Sequence, residues 1–474
     1  MADVSLRRPA TQASDALSPE ARKTILGAFI GFFVDMYDVY LPVIALTPAL
    51  IYFQPKNLSP TVATTIFYVV FAVALVGRPI GSFIFGHLGD KIGRRRTTLI
   101  AVTGFGVVTF LIALLPGYQT LGLTALVLLI VLRLVDGIFL GGEYTAASPL
   151  AMEYCPKPKR GFYSAVIQAG YPIAYVAISL FTALMLFLTP AKGGLSAPYV
   201  QWGWRVPFIV GAVIALCFVV WFRRQVPESQ SWLESEKTDN PIKTLFSGES
   251  RKAFMQVFVV MTGFWLALNT TISTLPQVLT SVGKISSTRV TTLLLIANVV
   301  LVGGYLLFGV LGQRIGRRPT LMLLGALIAV VSTTCYVILV NTASPSASLV
   351  QIGVLATVIT VLTVSGWGLL SAYINERFHI GVRASGFGIG YSLAVILPSF
   401  YSFVMLGMAR FMPYKFTQIP LLALGGLFIL AGAAWGPETK DVDIDVPERK
   451  SDYERAELPG EATGGARRRP AATS

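Results

Sequence analysis

The sequence predicts an all-α membrane protein of twelve transmembrane helices in two pseudo-symmetric six-helix bundles. Three observations predict it. Of 474 residues, 54% are hydrophobic and 13% charged, against about a quarter charged in soluble domains, and mean hydropathy is +0.66. Apolar stretches near the ~20 residues needed to cross a bilayer recur along the chain. A basic loop also occurs twice at one fixed spacing, the mark of a duplicated unit.

Taken in order, a polar tail (1–23) precedes the first span, 24–50, whose apolar run is too long for a signal-peptide core. The second, 60–86, stops at the basic run GHLGDKIGRRR, and the third, 97–115, starts beyond it. The fourth, 120–145, ends before Glu153, and the fifth, 162–188, starts after Arg160. The sixth, 205–222, closes the first bundle (24–222) at Arg223, where the longest connection, 223–253, reads as a linker between halves. The second bundle, 254–436, repeats the pattern with 254–280, 290–311, 320–340, 349–372, 384–408 and 416–435. The remainder, 437–474, is polar and ends near Arg467, Arg468 and Arg469, so it reads as a disordered tail.

With the N-terminus in the cytoplasm, about 29 of the 38 Lys and Arg fall on the cytoplasmic side and about 7 outside. The other two, Arg78 and Arg133, are left inside spans, with Arg205 at the outer edge of the sixth counted outside. Both termini are therefore expected in the cytoplasm, and the net charge of +14 reflects positive-inside loops rather than nucleic-acid binding. Three scattered cysteines and two histidines, both read as loop residues, offer no metal or disulfide framework. Neither HExxH, GxSxG nor GxxxxGK[ST] occurs, so the sequence points away from an enzyme and from ATP drive.

GHLGDKIGRRR from Gly86 and GVLGQRIGRRP from Gly309 are 223 residues apart, and the same shift carries Glu153 onto Glu376 and Arg160 onto Arg383. Gly86, Gly89, Asp90, Gly93, Arg94, Arg95, Glu153 and Arg160, with their counterparts Gly312, Gly316, Arg317, Glu376 and Arg383, read as a repeated cytoplasmic gate. Glycines allow close helix approach there, and Asp90 can cap a neighbouring helix or pair with an arginine. Gln313 stands at the counterpart of Asp90, so that contact is expected to be lopsided.

The intramembrane charges do not repeat. Asp35, Asp38, Arg78, Arg133, Asp136 and Glu143 map onto Phe258, Met261, Leu301, Ala356, Ile359 and Gly366. Each charge near mid-bilayer costs roughly 2.5–3.5 kcal/mol, so a cluster in one half needs a reason. Asp35 and Asp38 share a face of the first helix, and Arg133, Asp136 and Glu143 form one stripe on the fourth. Arg78 sits about 12 Å above its loop. Matching depths suggest two pairs, Asp38–Arg133 and Asp35–Arg78.

These motifs, with RLVDGIFLGGEYTAA from Arg133 and Glu153…Arg160-Gly161, resemble the major facilitator superfamily, and most of all its metabolite:proton symporter family. FVDMYDVYL near Asp35, QWGWRVPF at Gln201 and NERFHIGVRASGFGIGY at Asn375 extend the likeness over nearly the whole chain, and the closing Pro437-Glu438-Thr439 is similar to that of sugar-porter relatives. The family usually has Glu-Trp-Tyr-Asp where Asp35-Met36-Tyr37-Asp38 stands, and Gln where Asp136 stands.

The resemblance implies a secondary transporter in a bacterial-type inner membrane, working by alternating access with the proton as coupling ion, no bound cofactor, and a monomeric state in the lipid bilayer. Read with the charges, it suggests symport of a small organic carboxylate. A substrate anion takes an arginine, and the released carboxylate picks up a proton. Asp35, Asp38, Asp136 and Glu143 are the candidates for proton coupling. Arg78, Arg133, Tyr37, Gln168, Tyr171, Tyr175, Asn269, Asn298, Trp367 and Tyr391 are those for substrate binding. Uptake of a zwitterionic osmolyte, proton-coupled export and a non-transporting receptor are the alternatives.

Overall fold

The structure, a computed structural model, describes residues 17–55 and 60–444. Residues 1–16 and 445–474 lie outside them. Of the tail read as disordered, 437–474, the described part 437–444 is instead held against the helix ends through Glu438, Thr439 and Val442.

Twelve helices long and apolar enough to cross a membrane are present among the described residues. The first half comprises α1 (Pro19–Phe53), α2 (Pro60–Ile92), α3 (Arg94–Leu114), α4 (Leu123–Tyr154), α5 (Lys157–Leu188) and α6 (Tyr199–Gln225). The second comprises α7 (Gly248–Val282), α8 (Ser287–Ile315), α9 (Arg317–Thr342), α10 (Leu349–Asn375), α11 (Ile380–Met408) and α12 (Tyr414–Trp435). Large apolar side chains such as Phe187, Val350 and Phe403 stay exposed on the perimeter. In a bilayer that surface meets lipid.

Between α6 and α7 the chain is not a plain linker. It forms two short helices, Gln230–Glu234 and Pro241–Leu245, capped by Ser229 and Asn240. The α7 helix starts at Gly248, before the apolar run, because a charged turn continues the helix beyond the hydrocarbon. His87 lies inside α2 rather than in a loop, since that helix runs on to Ile92.

Glycines set the spacing of α2 and α4. A Cβ on Gly77, Gly81, Gly137 or Gly141 would run into the backbone of the opposite helix, so the two axes approach closely. That contact brings Arg78 of α2 beside the charged stripe of α4. The halves meet where α2 and α4 pack on α11, and where α5 packs on α8 and α10. Regular geometry fails beyond Pro42, where α1 passes through π and 3-10 turns, and past Pro276, where α7 becomes a π segment.

Candidate functional site

Inside the first half, Arg78 Nη2 lies 2.6 Å from Asp35 Oδ1. Arg133 Nη1 lies 2.5 Å from Asp136 and 3.5 Å from Asp38, and Thr109 donates to Asp38 at 2.5 Å. Both pairs suggested by depth are therefore in contact, with Asp136 as a further partner supplied by its i+3 position on α4. All of these side chains are buried. Glu143 is also fully buried, and neither of its carboxyl oxygens has a hydrogen-bond partner among the described residues.

A small cavity opens beside Glu143, bounded by Ala28 and Phe32 of α1, Tyr144 of α4, Gln168 of α5, Ser371 of α10 and Tyr391 of α11. It therefore touches both halves. Gln168 donates to Ser371 across the seam at 3.0 Å. The Arg78 guanidinium sits 5.6 Å from the centre of the Tyr144 ring. The Tyr144 and Ser82 hydroxyls both hydrogen-bond Ser392 of α11, the latter at 2.6 Å. The charge cluster of the first half is thereby tied to the second. On the far side Trp265, Trp367 and Tyr391 pack edge to face, with centroids 4.7–5.6 Å apart. Tyr40 packs in the same manner on Tyr171 and Tyr175.

Tyr37 is not placed with the others. Its hydroxyl donates to Pro207 of α6 at 3.5 Å, inside the first half, because the α1 face that carries it packs against α6. Asn269 is half-buried on α7, and Asn298 lines a second cavity with Tyr175. Tyr144, Ser82, Ser392 and Trp265 went unnoticed in the sequence. Tyr144 adjoins Glu143 in a motif already singled out; the others carry no distinguishing signal.

At the end of the molecule bearing the two basic loops, the halves are closed on each other. Asp90 accepts hydrogen bonds from the backbone N–H of Ala384 and Ser385 at 3.0 and 2.9 Å, and from the Ser385 hydroxyl at 2.7 Å. It caps the helical turn that begins at Arg383, while Arg94 lies 3.3 Å away. The counterpart Gln313 accepts from Gly161 N–H at 2.9 Å, at the matching position of α5. Glu153 bridges Arg94 and Arg383 at 3.5 and 2.9 Å. Its mate Glu376 pairs with Arg317 at 3.0 Å and accepts from Thr439. Burial pushes the Glu376 carboxyl up, with Arg317 opposing. Arg160 is buried and donates to Val442 O at 2.9 Å.

Gly93 and Gly316 hold φ of +107° and +111°, which only glycine adopts without strain. These kinks aim the next helix N-termini at two acids the sequence reading had not assigned to the gate. Glu228 accepts from Arg94 and Arg95 N–H at 3.0 and 3.1 Å, and Glu438 from Arg317 and Arg318 N–H at 2.8 and 3.0 Å. A Pro-Glu-Ser and a Pro-Glu-Thr, one after the last helix of each half, were the available signal. Gly86 and Gly89 lie against Ser385 and Ala384, and Gly312 against Leu369.

The family model described as Major Facilitator Superfamily matches residues 28–398. The chain belongs to that superfamily. It is 31% identical over 390 residues to the inner membrane metabolite transport protein YhjE of Escherichia coli, covering 79% of this chain and 84% of the relative. It is equally 31% identical over 389 residues to the alpha-ketoglutarate permease of the same organism, covering 81% and 87%. In fold it resembles the solved proton:xylose symporter XylE with a TM-score of 0.72 at 19% identity, over 94% of this chain and all of that one. The chain is thus a multi-pass membrane transporter of small-molecule metabolites, not an enzyme, and the two halves and their seam are those of a major facilitator.

Proposed function

We propose that this facilitator is a proton-coupled symporter of a small organic carboxylate, with both termini and the basic face in the cytoplasm of a bacterial-type inner membrane. One observation carries the reading. Four buried carboxyls, those of Asp35, Asp38, Asp136 and Glu143, stand against two guanidiniums, and Glu143 has no hydrogen-bond partner among the described residues. Fully ionised, the cluster would hold two uncompensated negative charges out of water, a costly state. Protons can remove that excess.

Both arginines are occupied by carboxylates, so a substrate anion that engages one displaces an acid, which then takes a proton. Substrate and proton enter together, and the loaded site lets the halves rock about the midplane. The alpha-ketoglutarate permease among the relatives is in keeping with a carboxylate cargo. A zwitterionic osmolyte is the second reading, favoured by the ring cluster of Trp265, Trp367 and Tyr391, since aromatic faces attract cations.

Reconstitution in liposomes tests both. An inside-alkaline pH gradient is expected to drive accumulation of a labelled organic carboxylate, and a protonophore to abolish it. Glu143→Gln is expected to retain exchange while losing gradient-driven accumulation. Carboxylate uptake indifferent to the gradient would sink proton coupling, and gradient-driven uptake of betaine alone would install the second reading.

A further inference from the structure

Among the described residues the second half adds no charged side chain to the cluster of Asp35, Asp38, Arg78, Arg133, Asp136 and Glu143, yet a polar site lies against that half. A small cavity lies between α5, α7, α8 and α10, lined by Tyr175, Thr271, Leu275, Leu294, Asn298 and Thr360 among others. It has room for a group of about the size of a water or a hydroxyl. Asn298 is 4% exposed; its Nδ2 donates to Leu294 O at 2.9 Å, and its Oδ1 has no hydrogen-bond partner among the described residues. Thr360 is 1% exposed, and its hydroxyl likewise has none. Thr97, Thr145 and Thr270, buried elsewhere, satisfy theirs on the carbonyl four residues back, whereas Thr182 and Thr238 share the unpartnered state without an acceptor-bearing cavity neighbour such as Asn298. Two unsatisfied buried oxygens on one cavity wall need an explanation.

We propose that this cavity is a neutral subsite for a hydroxyl group of the substrate, so that the cargo is a hydroxylated carboxylate. The proposal rests on the carboxylate reading above and adds the chemistry of the other end of the molecule. An amide oxygen can only accept, whereas a threonine hydroxyl donates and accepts. The partner must therefore offer a hydrogen to Asn298 Oδ1 and accept or donate at Thr360. A hydroxyl does both. A second carboxylate has no hydrogen to give and meets no cation among the lining residues. A quaternary ammonium also lacks a hydrogen to give. Ile272, Leu275, Pro276 and Leu294 supply apolar walls for the carbon skeleton. The anionic end is left to Arg78 and Arg133 of the first half, so substrate bridges the two halves.

Matched probe pairs test this in proteoliposomes: quinate against cyclohexanecarboxylate, malate against succinate, and lactate against propionate. The wild type is expected to favour the hydroxylated member of the pair it carries. Thr360→Val and Asn298→Leu keep side-chain size and are each expected to cut that preference about tenfold, read as the ratio of the two members' uptake rates. Thr360→Ser keeps the hydroxyl and is expected to keep the wild-type ratio. Uptake of the plain member also reports that the variants fold. A ratio unchanged in both variants means the two oxygens merely hold water, which overturns the subsite and leaves carboxylate symport standing. Absence of uptake for every carboxylate overturns the carboxylate reading, and the subsite with it.

Discussion

Arg133 stands between two acids, 2.5 Å from Asp136 and 3.5 Å from Asp38, with about 1% of its surface exposed. Removing one partner from a buried ion pair is worse than never having had the pair, because the remaining charge is stranded out of water. Arg133→Ala strands two carboxylates. It is expected to lower stability by about 3–5 kcal/mol, read as a drop in the melting temperature of detergent-purified protein, and Arg133→Ala combined with Asp136→Asn is expected to recover part of it. A single variant that melts like the wild type would show that the acids are already neutral without the arginine. These charges were legible in the sequence because an ionisable residue in an apolar run is conspicuous. Their pairing followed from depth along the helix. Neutral residues with large or amide side chains, Gln168, Tyr175, Asn298, Trp367 and Tyr391, were legible too. Thr360 and Ser392 were not, since they look like any small polar residue of a span until a cavity or a cross-seam hydroxyl singles them out.

The segment between α6 and α7 behaves as an element rather than a tether. Trp232 donates its indole N–H to Asp90 O at 3.0 Å, and Phe246 stacks on Phe83 of α2 with centroids 6.5 Å apart. His379, just before α11, meets Ser250 at the start of α7 at 3.2 Å. Burial, with the Arg383 charge adding, pushes the His379 imidazole down to about 4 from the usual 6.5. Between those values the unfolded chain binds a proton that the folded chain refuses, so this contribution to stability falls as pH drops from 6.5 toward 4. His379→Gln is expected to flatten the melting temperature across that window and leave it unchanged above pH 7. Equal slopes for variant and wild type would contradict the assignment. The spans were readable because ~20 apolar residues leave little choice in lipid. The five-residue linker helices were not, for they carry too few residues to show a period and are fixed by docking on Asp90 and Phe83, far away in sequence.

Across the whole molecule, the two halves close the basic face through equivalent contacts of unequal strength. Asp90 presents a full negative charge to the helical turn at Arg383, whereas Gln313 presents only an amide oxygen to the matching turn at Arg160. A charge at a helix N-terminus contributes about 0.3–1 kcal/mol beyond a neutral acceptor, and up to ~2 where partly buried. Closure of the α2–α11 seam should then depend on Asp90 more than closure of the α5–α8 seam depends on Gln313. Spin labels at exposed positions 91 and 314, on opposite halves of that face and in a background without the three native cysteines, would report the opening as a distance distribution. Asp90→Asn is expected to add a longer-distance population, because the amide keeps one acceptor and loses the charge. Gln313→Glu alone is expected to narrow the distribution, since the new carboxylate meets both the Gly161 N–H and the Arg317 guanidinium. Together, Asp90→Asn and Gln313→Glu move the charge from one seam to the other and are expected to restore most of the closed population. If Asp90→Asn leaves the distances unchanged, the closed face is held by the Glu153 bridge to Arg94 and Arg383 instead, and the asymmetry between the repeats has no mechanical consequence.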